Sequence, residues 1–165
     1  MTTYVTETAS ATETFALGQH LGKRLQAGQI VALHGELGAG KTVFTQGIAS
    51  GLGITARVTS PTFTLVSEYS LRDGEVLVHI DCYRLGSPTE QDGSVEATFL
   101  GLEEILDQPD AIVMIEWAER VASLLPDDYL QINLNYGADA PEQRHLVFTA
   151  HGPMSAQSLD RLRHA

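Results

Sequence analysis

The sequence predicts an α/β fold, a mixed sheet with a parallel centre and antiparallel hairpin additions and with helices on both faces. Three observations carry this. Ile30-Val31-Ala32-Leu33 and Ile112-Val113-Met114-Ile115 are short, unbroken apolar runs of the kind found in strands buried on both faces. The first leads through a glycine-rich octapeptide into a segment with apolar residues at helical spacing, a strand–loop–helix unit. Residues 64–81 and 130–150 alternate apolar and polar positions around turn signals, as hairpins do.

Taken in order, Ser10-Ala11-Thr12-Glu13 fits a capping box, in which the serine and glutamate satisfy free amides at a helix start. Leu17, Leu21 and Leu25 then recur every four residues, one apolar stripe reaching as far as Gly28. Beyond the glycine-rich loop, Phe44, Ile48 and Leu52 define a helix that stops near Gly51-Leu52-Gly53. Thr64–Leu71 and Glu75–Asp81 read as strands joined by Arg72-Asp73-Gly74. Residues 86–96 are polar and turn-rich, a surface loop, and Phe99–Leu106 reads as one short helix. The second apolar strand ends at Glu116. Leu130, Ile132 and Leu134 alternate with polar residues and His145–Ala150 pairs with them, before a C-terminal helix over Ser155–Arg163.

Composition narrows the function. A chain of 165 residues forms one domain, 1–165, with an ordinary apolar share of 43%. No stretch approaches the ~20 apolar residues of a membrane span. Met1-Thr2-Thr3-Tyr4-Val5-Thr6-Glu7 does not have the basic-then-apolar order of a secretory signal. Cys82 is the single cysteine, which excludes an internal disulfide and a cysteine-rich zinc site, and the expected compartment is the cytoplasm. The net charge is -11, and Lys23 and Lys41 are the only lysines, so unaided binding to nucleic acid is not expected, for want of a basic face. Between Leu85 and Glu119 stand nine carboxylates and no Lys or Arg, either a solvated face or a docking face for a basic protein.

Residues 35–42, Gly35-Glu36-Leu37-Gly38-Ala39-Gly40-Lys41-Thr42, satisfy the phosphate-loop pattern G-x-x-x-x-G-K-[ST] in full. Gly38 and Gly40 let successive amides turn into one concavity, and the following helix N-terminus favours the same anion. Lys41 offers a point charge to β- and γ-phosphates, and the Thr42 hydroxyl is a ligand for Mg²⁺. At average composition the pattern arises by chance in roughly one chain of this length in two hundred. The flanking strand and helix raise its weight further, and the expected architecture is a single P-loop NTPase-type domain binding ATP and Mg²⁺. Neither lysine lies in the N-K-x-D element of guanine recognition, which favours ATP.

A phosphate loop needs a further carboxylate to complete its metal site. Asp81 and Glu116 both end apolar strands, where α/β sheets place ligands; one serves the metal, directly or through water, and the other orients water. Ser60-Pro61-Thr62-Phe63-Thr64 supplies hydroxyls in the manner of a γ-phosphate switch, with a proline-started strand entry as the plainer reading. Arg84 pairs with Asp81, reaches a phosphate, or forms a surface ion pair. Trp117 stacks on a base or is simply packed. The six histidines show no ligand spacing.

Together Gly-Glu-Leu-Gly-Ala-Gly-Lys-Thr (35–42), Ser-Pro-Thr-Phe-Thr-Leu-Val (60–66), His-Ile-Asp-Cys-Tyr-Arg-Leu (79–85) and Ile-Glu-Trp (115–117) resemble the TsaE (YjeE) family in order and spacing, from about residue 10 to about 150. That family is the ATPase subunit of the bacterial machinery that makes threonylcarbamoyladenosine at position 37 of tRNAs reading ANN codons. The resemblance implies that Thr42 and Glu116 coordinate Mg²⁺ and that Asp81 is needed for hydrolysis, beside the phosphate-directed Lys41 of the loop. It makes 60–64, with Thr62, switch-like, and places Trp117 at the nucleotide and residues near Thr12 and Arg144 at its border. It further implies an accessory ATPase that resets the TsaB–TsaD pair and meets tRNA only through those partners. Residues 86–97 depart from the Asp-Pro-x-Glu helix start usual after Tyr-Arg-Leu. A small-molecule kinase and a nucleotide-gated module without turnover are the rival readings; scattered Arg57, Arg72 and Arg84 do not form the arginine-rich lid a kinase needs.

Overall fold

The computed structural model describes residues 1–36, 38–59, 65–86 and 92–165, without the Phe99 side chain. Seven strands form one sheet: β1 Thr2–Thr8, β2 Ile30–Gly35, β3 Val66–Ser70, β4 Val76–Asp81, β5 Ala111–Glu116, β6 Leu130–Tyr136 and β7 Arg144–Ala150. Their order is β1-β7-β6-β2-β5-β4-β3. The centre, β6-β2-β5-β4, is parallel, and β3, β7 and β1 add to it antiparallel. The helices are α1 Ala11–Gly22, α2 Lys41–Gly51, α3 Ser94–Phe99, α4 Leu102–Leu106 and α5 Pro153–Arg163.

Side-chain alternation assigns the two faces. On one, Val31, Leu33, Leu77, Met114, Ile132 and Phe148 pack against Leu21 of α1, Phe44 and Ile48 of α2 and Leu159 of α5. On the other, Ile30, Ala32, Val78, Ile80, Val113 and Ile115 pack against Ala97 of α3, Leu102 of α4 and the 3₁₀ segment Ala118–Leu124. Every residue of β5 is buried, as its unbroken apolar run requires, whereas β6 alternates because its Gln131 and Asn133 lie on the half-open face.

The expected mixed sheet with helices on both faces is therefore present, with local corrections. Ser10 caps α1, its Oγ accepting from the Glu13 amide at 3.2 Å, but the Glu13 carboxylate accepts from the Ala9 amide at 2.6 Å, one residue before the cap. The helix ends at Gly22 instead of running toward Gly28. The helix expected over Phe99–Leu106 is two short helices, because Gly101 at φ 78 takes the left-handed conformation and breaks the run; α3 also claims part of the expected loop 86–96. The N-terminal strand β1 was not anticipated. Its Thr and Val residues favour a strand, but only the register against β7 half-buries its inner face, with Thr8 buried.

Helices α1 and α2 meet through glycine on both sides. A Cβ at Gly18 would stand 2.5 Å from the Phe44 carbonyl oxygen, one at Gly22 2.2 Å from that of Ile48, and one at Gly47 2.2 Å from that of Phe15. The backbones thus approach where no side chain fits, and this close packing holds α2 against the sheet. Gly47→Ala should lower the unfolding free energy by about 1–3 kcal/mol despite alanine's better helix propensity, because the obstructing atom is main chain. A denaturant midpoint equal to that of the unmodified protein would contradict this packing.

Candidate functional site

The C-terminal ends of β2, β5 and β4 lie side by side, and each carries part of the site. After β2, the chain turns through Gly38 (φ 79) and Gly40 (φ 99), both in the left-handed region, into α2. No side chain caps this helix, whose first internal bond runs from the Phe44 amide to the Gly40 carbonyl at 2.9 Å. The preceding amides of Lys41, Thr42 and Val43 therefore have no partner within the helix, the arrangement that favours an anion at a helix start. Leu37, one position of the expected cradle, lies outside the described residues.

Lys41 is only 6% exposed. Its ammonium donates to the Gly35 carbonyl and lies 3.5 Å from the centroid of the Trp117 ring. Burial holds it below the ordinary lysine range, against the raising influence of Glu119, Glu116 and Asp81. Thr42, in the first turn of α2, is exposed.

Asp81 and Glu116 are register partners across β4 and β5, and both are buried, at 8% and 3% exposure. Parallel pairing brings them together, and Glu116 is also the register partner of Leu33 in β2, two residues before Gly35. The Asp81 carboxylate accepts from the Tyr83 amide at 2.9 Å, and the Glu116 carboxylate accepts from His79 Nε2 at 2.7 Å. The Glu116 carbonyl accepts from the Cys82 amide at 3.0 Å, tying the two strand ends together. Trp117 then turns at φ 57, an uncommon conformation for a non-glycine residue, and lays its ring over Lys41 with Tyr83 at 4.9 Å. The site thus brings together Gly35, Gly38, Gly40, Lys41, Thr42, Asp81, Glu116 and Trp117. Glu36 and Ala39 lie on the same loop and bond each other through the Ala39 amide at 3.1 Å. The 60–64 segment with Thr62 lies outside the described residues, and Arg84 stands exposed in the turn after β4.

Several residues here carried little or no signal in the sequence. Arg144 opens β7 as the register partner of Tyr136. It donates through Nε to the Ala39 carbonyl at 3.0 Å, with its guanidinium 4.8 Å from the Tyr136 ring centroid. The Tyr136 hydroxyl leans over Gly38, where it would stand 2.7 Å from an added Cβ. Beside them is a cavity of about 180 Å³ lined by Ala11, Thr14, Gly38, Gly40, Val43, Glu142 and Arg144. His34, at the end of β2, lies 3.5 Å from Glu119, and burial pushes its imidazole below the usual value. Tyr136 and His34 belong to no motif; only strand register places them. His79 was legible in one respect, since its spacing of two from Asp81 puts both on one face of β4.

The donor set suits a hard cation shared with a phosphate. Among the described residues no group of three or more His, Cys, Asp and Glu forms a protein-only cage. One or two carboxylates, a hydroxyl and an adjacent phosphate cradle are the usual setting for Mg²⁺. The residues present fit the group, with Thr42 and Glu116 as the ones that would hold it.

Fold and site together define a mixed α/β protein with a glycine-rich loop between a central parallel strand and its helix. The profile of "Threonylcarbamoyl adenosine biosynthesis protein TsaE" matches residues 8–146, and the chain belongs to that family. It is 42% identical over 139 residues to the tRNA threonylcarbamoyladenosine biosynthesis protein TsaE of Streptomyces coelicolor, covering 82% of this chain and 89% of that one. To the protein of the same name from Bacillus subtilis it is 38% identical over 146 residues, 88% and 84% of the two chains. The crystal structure of Bacillus subtilis YdiB superposes with a TM-score of 0.76 at 31% identity, covering 99% of this chain and 95% of that one. Among the described residues no helix is long and apolar enough to cross a membrane.

Cys82 adjoins the site but is sealed from it. Burial, then the charges of Asp81 and Glu119, push its thiol up to about 12. At pH 8 a thiol-specific disulfide reagent should therefore leave the native protein unmodified and titrate a single thiol after denaturation. Rapid native reaction would contradict the assigned burial.

Proposed function

We propose that the protein binds Mg-ATP at Gly35–Thr42 and hydrolyses it slowly in the service of threonylcarbamoyladenosine formation at position 37 of tRNAs reading ANN codons. The observation that supports this most is the convergence of Lys41 with the paired carboxylates Asp81 and Glu116 at the ends of adjacent parallel strands. Family membership supports the pathway.

In this reading the glycine-loop amides bind the phosphates, and Lys41 leaves the Gly35 carbonyl and the Trp117 face to meet the β- and γ-oxygens. Thr42 and Glu116 would hold Mg²⁺, and the ion would supply charge neutralisation at the phosphate oxygens. Asp81, fixed by the Tyr83 amide, orients the attacking water. Arg144 and Thr14 border the cavity beside the loop, where the nucleoside end has room. The partners are TsaB and TsaD, with tRNA reached only through them; a net charge of -11 agrees with that division of labour, and the compartment is the cytoplasm.

Phosphate release from ATP, measured alone and with TsaB and TsaD, tests the reading. Stimulated release is expected. Transfer of phosphate to an added metabolite would mean a kinase, and tight binding without release a nucleotide-gated module. Lys41→Ala should cost on the order of 10²–10³-fold in hydrolysis, having lost the phosphate-directed charge. Asp81→Asn should keep nucleotide affinity and lose turnover; an unaltered rate would remove Asp81 from the mechanism. Trp117 is the single tryptophan. Saturating Mg-ATP should therefore change the protein's intrinsic emission as Lys41 leaves its ring, and constant emission at saturation would show that the lysine stays in place.

A further inference from the structure

His79 lies on β4 two residues before Asp81, opposite Met114 of β5, and so on the face that carries Asp81 and Glu116. It is 1% exposed and Glu116 3% exposed, and 2.7 Å separates His79 Nε2 from Glu116 Oε2. A carboxylate oxygen accepts, so Nε2 carries the proton and donates, and the length is that of a charge-assisted bond. The other ring nitrogen, Nδ1, is buried and has no hydrogen-bond partner among the described residues.

Stability does not account for such a residue. An orphaned buried nitrogen is unfavourable by about 1–3 kcal/mol, and a buried acid–base pair is often no better for folding than apolar side chains of the same volume. What the imidazole supplies and an apolar residue cannot is a directed donor to one oxygen of a carboxylate at the strand end. We propose that His79 is a positioning residue for Glu116, holding the carboxylate in the one orientation from which it meets the cation of a bound nucleotide. The inference rests on the reading of Glu116 as a Mg²⁺ ligand. Groups that orient a metal ligand in this way typically change metal affinity 10–100-fold when removed.

Calorimetric titration of the full chain with ATP, once with Mg²⁺ and once with EDTA, gives the factor by which the metal tightens nucleotide binding. In His79→Leu that factor should fall at least about tenfold while the EDTA affinity stays unchanged. His79→Gln, whose amide nitrogen reaches nearly as far as Nε2, should restore it. In a Glu116→Gln background, where the factor is already lost, His79→Leu should have no further effect, a coupling that a purely structural histidine would not show. An unchanged factor in His79→Leu, or equal and additive losses in the two backgrounds, would overturn the proposal. Should His79→Leu prove unfolded by circular dichroism, His79→Asn decides: its amide stops short of the carboxylate, so loss of the factor supports the role and retention overturns it. Wild-type protein that binds ATP with no metal enhancement would sink this proposal alone, whereas absence of any ATP binding would sink the nucleotide reading beneath it.

Discussion

Parallel pairing of β2, β5 and β4 is the constraint from which the site follows. In a parallel ladder neighbouring strands end at the same edge, so a residue closing one strand stands beside the residue closing the next. Here that rule sets Asp81 against Glu116 and Glu116 against Leu33, two residues short of the turn that starts the glycine loop. Both carboxylates are buried, at 8% and 3% exposure, and both act electrostatically on Lys41, the first residue of α2.

Electrostatics at this edge is one-sided. Lys41 is a buried ammonium with three carboxylates, Glu119, Glu116 and Asp81, raising its proton affinity while burial lowers it, and burial prevails. Held on a main-chain carbonyl and an aromatic face, it has no carboxylate ion pair within contact distance among the described residues. A polyphosphate entering such a locus adds negative charge to an already acidic wall, so the proposed nucleotide needs a divalent cation as much as it needs the lysine. The geometry of Glu116, fixed in part by its hydrogen bond to His79, is therefore of consequence.

Outside the site the surface is largely acidic, as a net charge of -11 requires. Among the described carboxylates between Leu85 and Glu119, Glu96 lies in α3, Glu103 and Glu104 in α4 and Asp107 at the C-cap of α4, all exposed on the face away from α2. That exposure is what both a solvated face and a docking face for a basic protein require.

Local sequence by itself determined much: the apolar runs of β2 and β5, the hairpins, α2 and α5, and the loop from Gly35 to Thr42. Each of these is a short-range pattern, readable because burial and backbone conformation act on residues adjacent in the chain. Asp81 and Glu116 were legible as strand ends, and Lys41 and Trp117 as motif members. What only the tertiary structure decided were contacts between distant segments: β1 beside β7, Tyr136 over Gly38, Arg144 on the Ala39 carbonyl, Trp117 on Lys41 and His79 on Glu116. None has a local signature, because strand register and helix packing are settled by the whole core, and those two alone determine which polar side chains are buried together.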